Sequence, residues 1–347
     1  MSDPPYARLT PDLVLDAIDS TGLRTDGRLL ALNSFENRVY QLGIEEEEKV
    51  MQSGIPWDGS GETAPGWVVA KFYRPQRWSD EAILEEHAFA IELAAREIPA
   101  VPPLRLNGAT LHHHADFRFA VFPRQGGRPP ELDQPGTLEW LGRFLGRIHA
   151  VGGLEPFRHR PALDIASFGE EPRDWLLAHD FIPYELRDVW AGVAAQAIAG
   201  ARQCFGRAGA VRAIRLHGDC HMGNVLWTED GKTRGPHFVD FDDARMGPAV
   251  QDLWMLLSGE RDERTRQLHD ILAGYEDFAE FDTRELHLVE ALRTLRLIHY
   301  SAWIARRWSD PAFPLAFPWF DTPRYWEERI LELREQIALM DEAPLPA

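Results

Sequence analysis

The chain has 347 residues, of which 44% are apolar and 27% charged, and 55 acidic against 37 basic residues give a formal net charge of −18. This composition excludes a disordered or collagen-like chain, and the acidic balance argues against a nucleic-acid-binding protein, because binding phosphates requires a basic face. No apolar run reaches the roughly 18 residues of a membrane span and the N-terminus carries no export signal, so we expect a cytoplasmic monomer without a membrane partner.

The N-terminal third predicts a small lobe rich in β-strands. Its predicted elements are a helix after Thr10, a hairpin within 28–42, a strand at 67–73, a helix at 79–96 capped by Ser79, and strands at 104–111 and 117–122. Residues 43–66, with four consecutive glutamates and several glycines and prolines, predict a solvated loop. The run His112-His113-His114 predicts a solvent-facing turn between the last two strands.

The best boundary in the chain lies at residues 124–128, where glycines and arginines are flanked by prolines. We predict an N-terminal lobe over 1–123, a hinge over 124–128 and a C-terminal lobe over 129–347. The C-terminal lobe is mostly helical apart from a β-rich stretch at 211–241. The predicted fold class is therefore α+β, a bilobal plan with a small β-rich N-terminal lobe and a larger, mainly helical C-terminal lobe.

The chemically informative residues are Asp219, Asn224 and Asp240. Asn224 follows Asp219 by five positions, and Asp240 comes at the end of the next predicted hairpin. In this order they match what phosphoryl transfer to a hydroxyl requires: Asp219 takes the proton of the acceptor, while Asn224 and Asp240 offer hard oxygen ligands to Mg²⁺. A zinc site of His217, Asp219 and His221 is the alternative, but it leaves Asn224 and Asp240 without a task.

A kinase also needs a nucleotide site, and the N-terminal lobe offers candidate residues. The turn that begins at Ser34 is placed to cover phosphates, and Lys71, one of three lysines beside 34 arginines, is placed to bind their oxygens. Its carboxylate partner should be Glu85 or Glu86 on the following helix, and the spacing favours Glu86. The backbone around the hinge would bind adenine, so the lobe over 1–123 is predicted to bind ATP.

Two residues near the proposed base leave alternatives open. Asp252 begins an apolar helix and is either an ordinary first-turn acid or a support for the Asp219 loop. Cys220 adjoins Asp219, which suggests a redox-sensitive enzyme as a hypothesis. Four C-terminal tryptophans are either core residues or a surface for a cationic ligand. They are Trp303, Trp308, Trp319 and Trp326.

Several motifs in order resemble the protein-kinase-like fold in its aminoglycoside and choline phosphotransferase branch, and most closely the bacterial stress response kinase A family. The resemblance spans roughly residues 9–340 and rests on the motifs at 32–40, 71–75, 83–87, 216–224, 238–243 and 309–314. It implies a cytoplasmic serine/threonine protein kinase that uses ATP and Mg²⁺ in oxidative and envelope stress. It also implies roles for Ser34 at the ATP, Asp219 as proton acceptor, and Asn224 and Asp240 as metal ligands.

The sequence departs from eukaryotic-type protein kinases at two positions. Gly218 stands where most of them have an arginine that receives an activation-loop phosphate, and Asp242 stands where they have the glycine of the Asp-Phe-Gly motif. We therefore expect no control by activation-loop phosphorylation. The short segment between Asp240 and the helix of Asp252 favours a small-molecule hydroxyl kinase, which is the alternative function. A nucleotide-binding regulator without turnover is the third.

Overall fold

The computed structural model describes residues 4–45, 66–229 and 234–347. Most of the loop predicted at 43–66 therefore lies outside the described residues. The contacts divide the chain into two compact units. The first comprises, as far as they are described, Met1–Thr137, Arg158–Arg160 and His221–Asp243, and the second comprises Leu138–Phe157, Pro161–Cys220 and Ala244–Ala347. The predicted lobe boundaries at 123 and 129 stay a prediction.

The elements up to residue 123 are as follows: α1 Pro11–Asp19, β1 Thr25–Ala31, β2 Arg38–Ile44, β3 Trp67–Phe72, α2 Asp80–Ala95, β4 His112–His114 and β5 Phe117–Pro123. The strands of the rest of the chain are β6 Ile214–Leu216, β7 Val225–Glu229, β8 Arg234–Phe238 and β9 Arg245–Gly247. Its helices are α3 Thr137–Gly152, α4 Glu171–Ala178, α5 Tyr184–Ala208, α6 Val250–Trp254, α7 Arg261–Tyr275, α8 Val289–Arg306, α9 Ala312–Ala316 and α10 Pro323–Asp341. These elements confirm the predicted α+β class.

The first unit is built on a five-stranded antiparallel sheet in the order β1-β2-β3-β5-β4. Side chains alternate between its two faces. Ala70 and Phe72 on β3 enter an apolar core that also contains Val14 and Ile18 of α1. Lys71, between them in the sequence, therefore points to the opposite face. The alternation thus decides which side of the sheet receives the charge.

The prediction for residues 104–114 was wrong. The strand lies at β4, in the three histidines predicted as a turn, and it pairs with β5 through His112↔Phe119. The predicted strand at 104–111 is instead broken by a tight turn, because Asn107 and Gly108 both adopt positive φ. Ala115 and Asp116 also have positive φ, and they form the hairpin connection that turns β4 into β5.

A two-stranded hairpin of β7 and β8 also belongs to the first unit. It pairs Val225 with Phe238, and the backbone N–H of Val239 donates to the carbonyl oxygen of Asn224 at 3.0 Å. Asn224 and Asp240 consequently lie at the same end of this hairpin. The prediction of a β-rich stretch at 211–241 is confirmed, although β9, which pairs with β6 in the second unit, was missed.

The second unit is mainly helical, and two of its helices pack with little space between their backbones. A Cβ atom at Gly142 or Gly146 of α3 would overlap the carbonyl oxygens of Ile271 and Tyr275 on α7. Gly274 of α7 has the same relation to a carbonyl oxygen of α3. Glycine is therefore required on both sides of this contact. Across the described ranges, no helix is long and apolar enough to cross a membrane.

We expect Gly142→Ala to lower the free energy of unfolding by about 1–3 kcal/mol, because the new methyl group must push the two helices apart. Gly192→Ala is the matched control, since a Cβ there meets no atom within 4 Å and Gly192 also lies within a helix. It should stabilise the protein by about 0.5–1 kcal/mol through helix propensity. Urea unfolding of both variants measures the difference. Equal effects would contradict the close packing of α3 against α7.

Candidate active site

The buried ammonium of Lys71 is the centre of a group of charges in the first unit. Its Nζ lies 3.3 Å from Glu86 Oε1, 2.9 Å from Asp240 Oδ1 and 3.4 Å from Asp242 Oδ1. The predicted pair of Lys71 with Glu86 is thus confirmed, and Glu85 is excluded as its partner. We call Lys71 and these three carboxylates the Lys71 cluster.

Charge is retained in the Lys71 cluster despite burial. Burial by itself lowers the pKa of Lys71, but the surrounding carboxylates outweigh it and hold that pKa well above the usual value. Burial raises the pKa of Glu86, against the opposing charges of Lys71 and Arg160. Burial also acts to raise the pKa of Asp242, but Arg77 and Lys71 reverse this and lower it. The ammonium of Lys71 is therefore kept in its charged form at neutral pH.

Glu85 has a different task from its neighbour. Its carboxylate accepts the backbone N–H groups of Arg158 at 2.6 Å, His159 at 2.8 Å and Arg160 at 3.1 Å. Three N–H groups that converge on one carboxylate form an anion-binding turn that α2 itself fills. Glu85 thereby attaches the short segment 158–160 to α2.

Asp240 is presented in a conformation that few side chains adopt. Its φ is +60°, in the left-handed region, where aspartate is among the more tolerated residues. Its side chain is 53% exposed, in contrast to the 5% of Asp242 two residues later. Asn224 lies at the same end of the β7–β8 hairpin and supplies an amide oxygen. A carboxylate and an amide oxygen fit Mg²⁺, which prefers hard oxygen ligands.

The turn between β1 and β2 carries Ser34, and side chains fix its shape. Ser34 Oγ accepts the backbone N–H of Val39 at 3.1 Å, across the turn. Asn37 Nδ2 donates to Asp242 Oδ2 at 3.1 Å, and its Oδ1 accepts the backbone N–H of Arg74 at 3.0 Å. The turn predicted to cover phosphates is therefore tied to the residue that follows Asp240 by two positions.

Asp219 belongs to the second unit, in the loop that follows β6. Asp252 is fully buried and accepts the backbone N–H groups of His217 and Gly218, each at 2.8 Å. Of the two roles left open for Asp252, the structure confirms the support of the loop. Gly218 has a φ of +86°, which explains a glycine at this position. The Asp219 carboxylate meets Arg296 at 2.7 Å.

The two histidines near Asp219 both serve the backbone. His217 Nδ1 accepts the N–H of Asp219 at 3.4 Å, and His221 Nδ1 accepts the N–H of Gly223 at 3.0 Å. These hydrogen bonds give both histidines a structural task that the zinc interpretation does not require. Within 4–45, 66–229 and 234–347, no group of three or more His, Cys, Asp or Glu side chains is arranged to hold a metal ion.

The structure does not favour the redox hypothesis for Cys220. Its side chain is fully buried, and burial raises the pKa of its thiol well above the usual value, with Asp252 and Asp219 adding to the effect. Formation of the reactive thiolate of Cys220 is therefore suppressed.

The C-terminal tryptophans differ in exposure. Trp326 is a core residue with 1% of its surface exposed, whereas Trp319 is 43% exposed.

Sequence reasoning missed several residues that hold the site. Arg160 and Arg296 gave no signal, because an arginine in a chain with 34 arginines does not stand out. Asn37 and Asp242 were inside recognised motifs, and their partnership crosses 205 residues of sequence. Glu285 was also missed. It is 3% exposed, and its Oε2 accepts the N–H of Val250, the first residue of the helix that carries Asp252.

Glu285 should make stability depend on pH. Burial raises its pKa from 4.5 to about 7. Between these values the folded protein binds more protons on Glu285 than the unfolded chain does, so its contribution to the free energy of unfolding falls as pH rises from 4.5 to about 7 and is constant above. Urea unfolding from pH 5 to 8 should show the stability of the wild type falling relative to Glu285→Gln. A constant difference would contradict this assignment.

Asp252→Asn should lower the free energy of unfolding by about 1–3 kcal/mol, because an amide cannot accept both N–H groups and its NH₂ group faces one of them. Asp262→Asn is the matched control, an exposed first-turn aspartate of α7, and should change stability by less than about 0.5 kcal/mol. Thermal and urea unfolding measure both. Equal stabilities would show that the buried carboxylate does not hold the loop.

Comparison with known proteins assigns the chain to a family. The model of the phosphotransferase enzyme family (APH) matches residues 29–289. Stress response kinase A of Escherichia coli (strain K12) is 43% identical over 340 residues, which cover 98% of this chain and 96% of that protein. The serine/threonine protein kinase RdoA of Salmonella typhimurium (strain LT2) is 41% identical over the same shares of both chains.

A solved structure shows the same fold at low sequence identity. The amicoumacin kinase hAmiN, in complex with AMP-PNP, Ca²⁺ and Ami, superposes with a TM-score of 0.69 and 19% identity, covering 96% of this chain and 94% of that one. The predicted kinase-like fold and the resemblance to the stress response kinase A family are both confirmed. With a family match over most of its length and relatives above 40% identity from end to end, this chain belongs to the phosphotransferase enzyme family, as one of its stress response kinase A members.

Proposed function

We propose that this kinase transfers the γ-phosphate of ATP to a serine or threonine hydroxyl of a protein, in the presence of Mg²⁺. The observation that carries the proposal is the Lys71 cluster, in which a buried, charged ammonium is held between Glu86 and Asp240. Such a point charge suits phosphate oxygens. The name of the relative at 41% identity, serine/threonine protein kinase RdoA, supports a protein acceptor.

Each residue then has one role in the transfer. Asp219 takes the proton of the acceptor hydroxyl, whose oxygen forms a bond to the γ-phosphorus while the bond to the bridging oxygen of ADP breaks. Lys71 binds phosphate oxygens, Glu86 orients Lys71, and Ser34 lies in the turn that covers the nucleotide. Asn224 and Asp240 would hold Mg²⁺, which supplies positive charge beside the phosphates when it is bound.

The proposal extends to the setting in which the enzyme works. The name of the Escherichia coli relative, stress response kinase A, supports a role in a bacterial stress response. The net charge of −18 suits a basic protein segment as the partner and not a nucleic acid. We place the enzyme in the cytoplasm, as a monomer that acts on a protein with a serine or threonine acceptor.

A small-molecule hydroxyl kinase is the second candidate, and one observation favours it. Only nine residues lie between Asp240 and Val250, the first residue of α6, and they contain a short helical turn and β9. This leaves no room there for a long peptide-docking segment. The fold neighbour named as an amicoumacin kinase has a small-molecule acceptor in its name. A cationic metabolite would suit the acidic chain.

Asp219→Asn should reduce phosphoryl transfer by about 100- to 10,000-fold, since the amide cannot accept the proton. The assay follows labelled γ-phosphate from ATP with Mg²⁺ to the protein itself and to a basic generic protein. Asp188→Asn, an exposed aspartate on α5, is the matched control and should keep full activity.

The same assay separates the two candidates. Labelled protein whose label resists acid and hydroxylamine, as phosphate esters of serine and threonine do and acyl phosphates do not, supports the protein kinase if the label is lost in Asp219→Asn and kept in Asp188→Asn. ATP consumption by the wild type that requires added cationic metabolites, with no labelled protein, supports the small-molecule kinase. Equal activity of the wild type and Asp219→Asn with every acceptor would contradict both.

A further inference from the structure

Arg160 is an arginine with no exposed side-chain surface in the first unit. Its three guanidinium nitrogens each donate to a different part of the chain. Nε donates to the carbonyl oxygen of Ala82 at 2.9 Å, Nη1 to the carbonyl oxygen of Asp242 at 2.9 Å, and Nη2 to Glu86 Oε2 at 3.1 Å. The guanidinium also lies 4.7 Å from the centre of the Trp78 ring. A buried charge with this many directed contacts fixes geometry more than it adds net stability.

The carboxylate of Glu86 is shared between two cations. Oε1 faces Lys71 at 3.3 Å and Oε2 faces Arg160 at 3.1 Å. Arg160 therefore fixes the rotation of this carboxylate and helps keep it ionised in a buried place, which burial alone opposes. Without Arg160, Glu86 would have one cation fewer and would lose part of its hold on Lys71.

Arg160 also holds the other side of the Lys71 cluster. The carbonyl oxygen of Asp242 belongs to the short helical turn Phe241–Asp243, which directly follows Asp240. One guanidinium thus joins α2, which carries Glu86, to the turn beside Asp240. Glu86 on α2 and Asp240 immediately before this turn are the two carboxylates nearest to the Lys71 ammonium, at 3.3 and 2.9 Å. Its own backbone is fixed in turn, because its N–H donates to Glu85.

We propose that Arg160 is a positioning residue for phosphoryl transfer. It holds Glu86 and the turn after Asp240 in a fixed arrangement, so that Lys71 is placed to bind the phosphates of the nucleotide. This inference rests on the proposed function for its reaction, but it concerns a residue remote in sequence from every motif of the site. Arg160 lies 74 positions from Glu86 and 82 from Asp242. Arginine is required here, since the single ammonium of lysine cannot reach three separate acceptors.

The test is a double-mutant cycle of Arg160→Met and Glu86→Gln, with the exposed Arg158→Met as the matched control. Arg160→Met should lower kcat by about 10- to 100-fold, leave the KM for the acceptor protein unchanged, and weaken the binding of Mg·ATP. In the Glu86→Gln background the same substitution should have a much smaller effect, because Arg160 acts through Glu86. Effects that multiply independently would overturn the proposal.

The pH profile supplies a readout that a purely structural role would not move. Removing Arg160 leaves Glu86 with less opposing charge, so the acid limb of Mg·ATP affinity should shift to higher pH in Arg160→Met and not in Arg158→Met. An unshifted limb would overturn the proposal. The charged and titratable groups that face Glu86 are Lys71, Tyr73, Arg160, Asp240 and Asp242.

Two further measurements keep the inference separate from the proposed function. If the wild type transfers phosphate to no acceptor, the proposed function fails, and the cycle is then read from the dissociation constants of Mg·ATP alone. Thermal unfolding shows whether Arg160→Met folds. If it does not, the dissociation constant of Mg·ATP is measured for Arg160→Lys, for Glu86→Gln and for the doubly substituted protein. Binding of Mg·ATP by Arg160→Lys equal to that of the wild type would overturn the proposal.

Discussion

A single ammonium buried among carboxylates determines how the first unit is organised. Lys71 can remain charged beneath the sheet only because Glu86, Asp240 and Asp242 compensate the loss of water. Glu86 lies on α2, whereas Asp240 and Asp242 lie two residues apart in the segment that follows β8. Both segments must therefore be held in place, and arginines supply part of that support: Arg160 for Glu86 and Arg77 for Asp242. The charged state of Lys71 therefore depends on residues from several elements that are distant in sequence.

Carboxylates that accept backbone N–H groups serve as a second kind of support. Glu85 binds three N–H groups in the first unit, while Asp252 binds two in the second and Glu285 binds the N–H of Val250, at the start of the helix of Asp252. Such contacts constrain the backbone of loops that have little apolar surface to bury.

Periodicity and end signals were enough to predict most of the fold. The caps at Thr10 and Ser79, the strand of Lys71 and the late hairpin follow from local patterns, and these patterns agree with the tertiary structure. The prediction for residues 104–114 was wrong because four residues with positive φ determine where the strand lies. Only one of the four is a glycine, so the sequence contains little indication of the two turns. For the site, motif order predicted the pair of Lys71 and Glu86 but left two roles open for Asp252, and only the structure decided between them. The roles of Arg160 and Arg296 could not be predicted, because only the fold brings their partners close to them.

The positive φ of Asp240 has a consequence for how this sequence can change. Glycine would relax the backbone at this position, by about 1 kcal/mol on general grounds, yet it would remove the carboxylate that faces Lys71 and solvent. The backbone conformation at position 240 therefore favours glycine, whereas the contact with Lys71 requires a carboxylate. Under the proposed function, Asp240→Gly would therefore relax the backbone and remove a metal ligand in a single substitution.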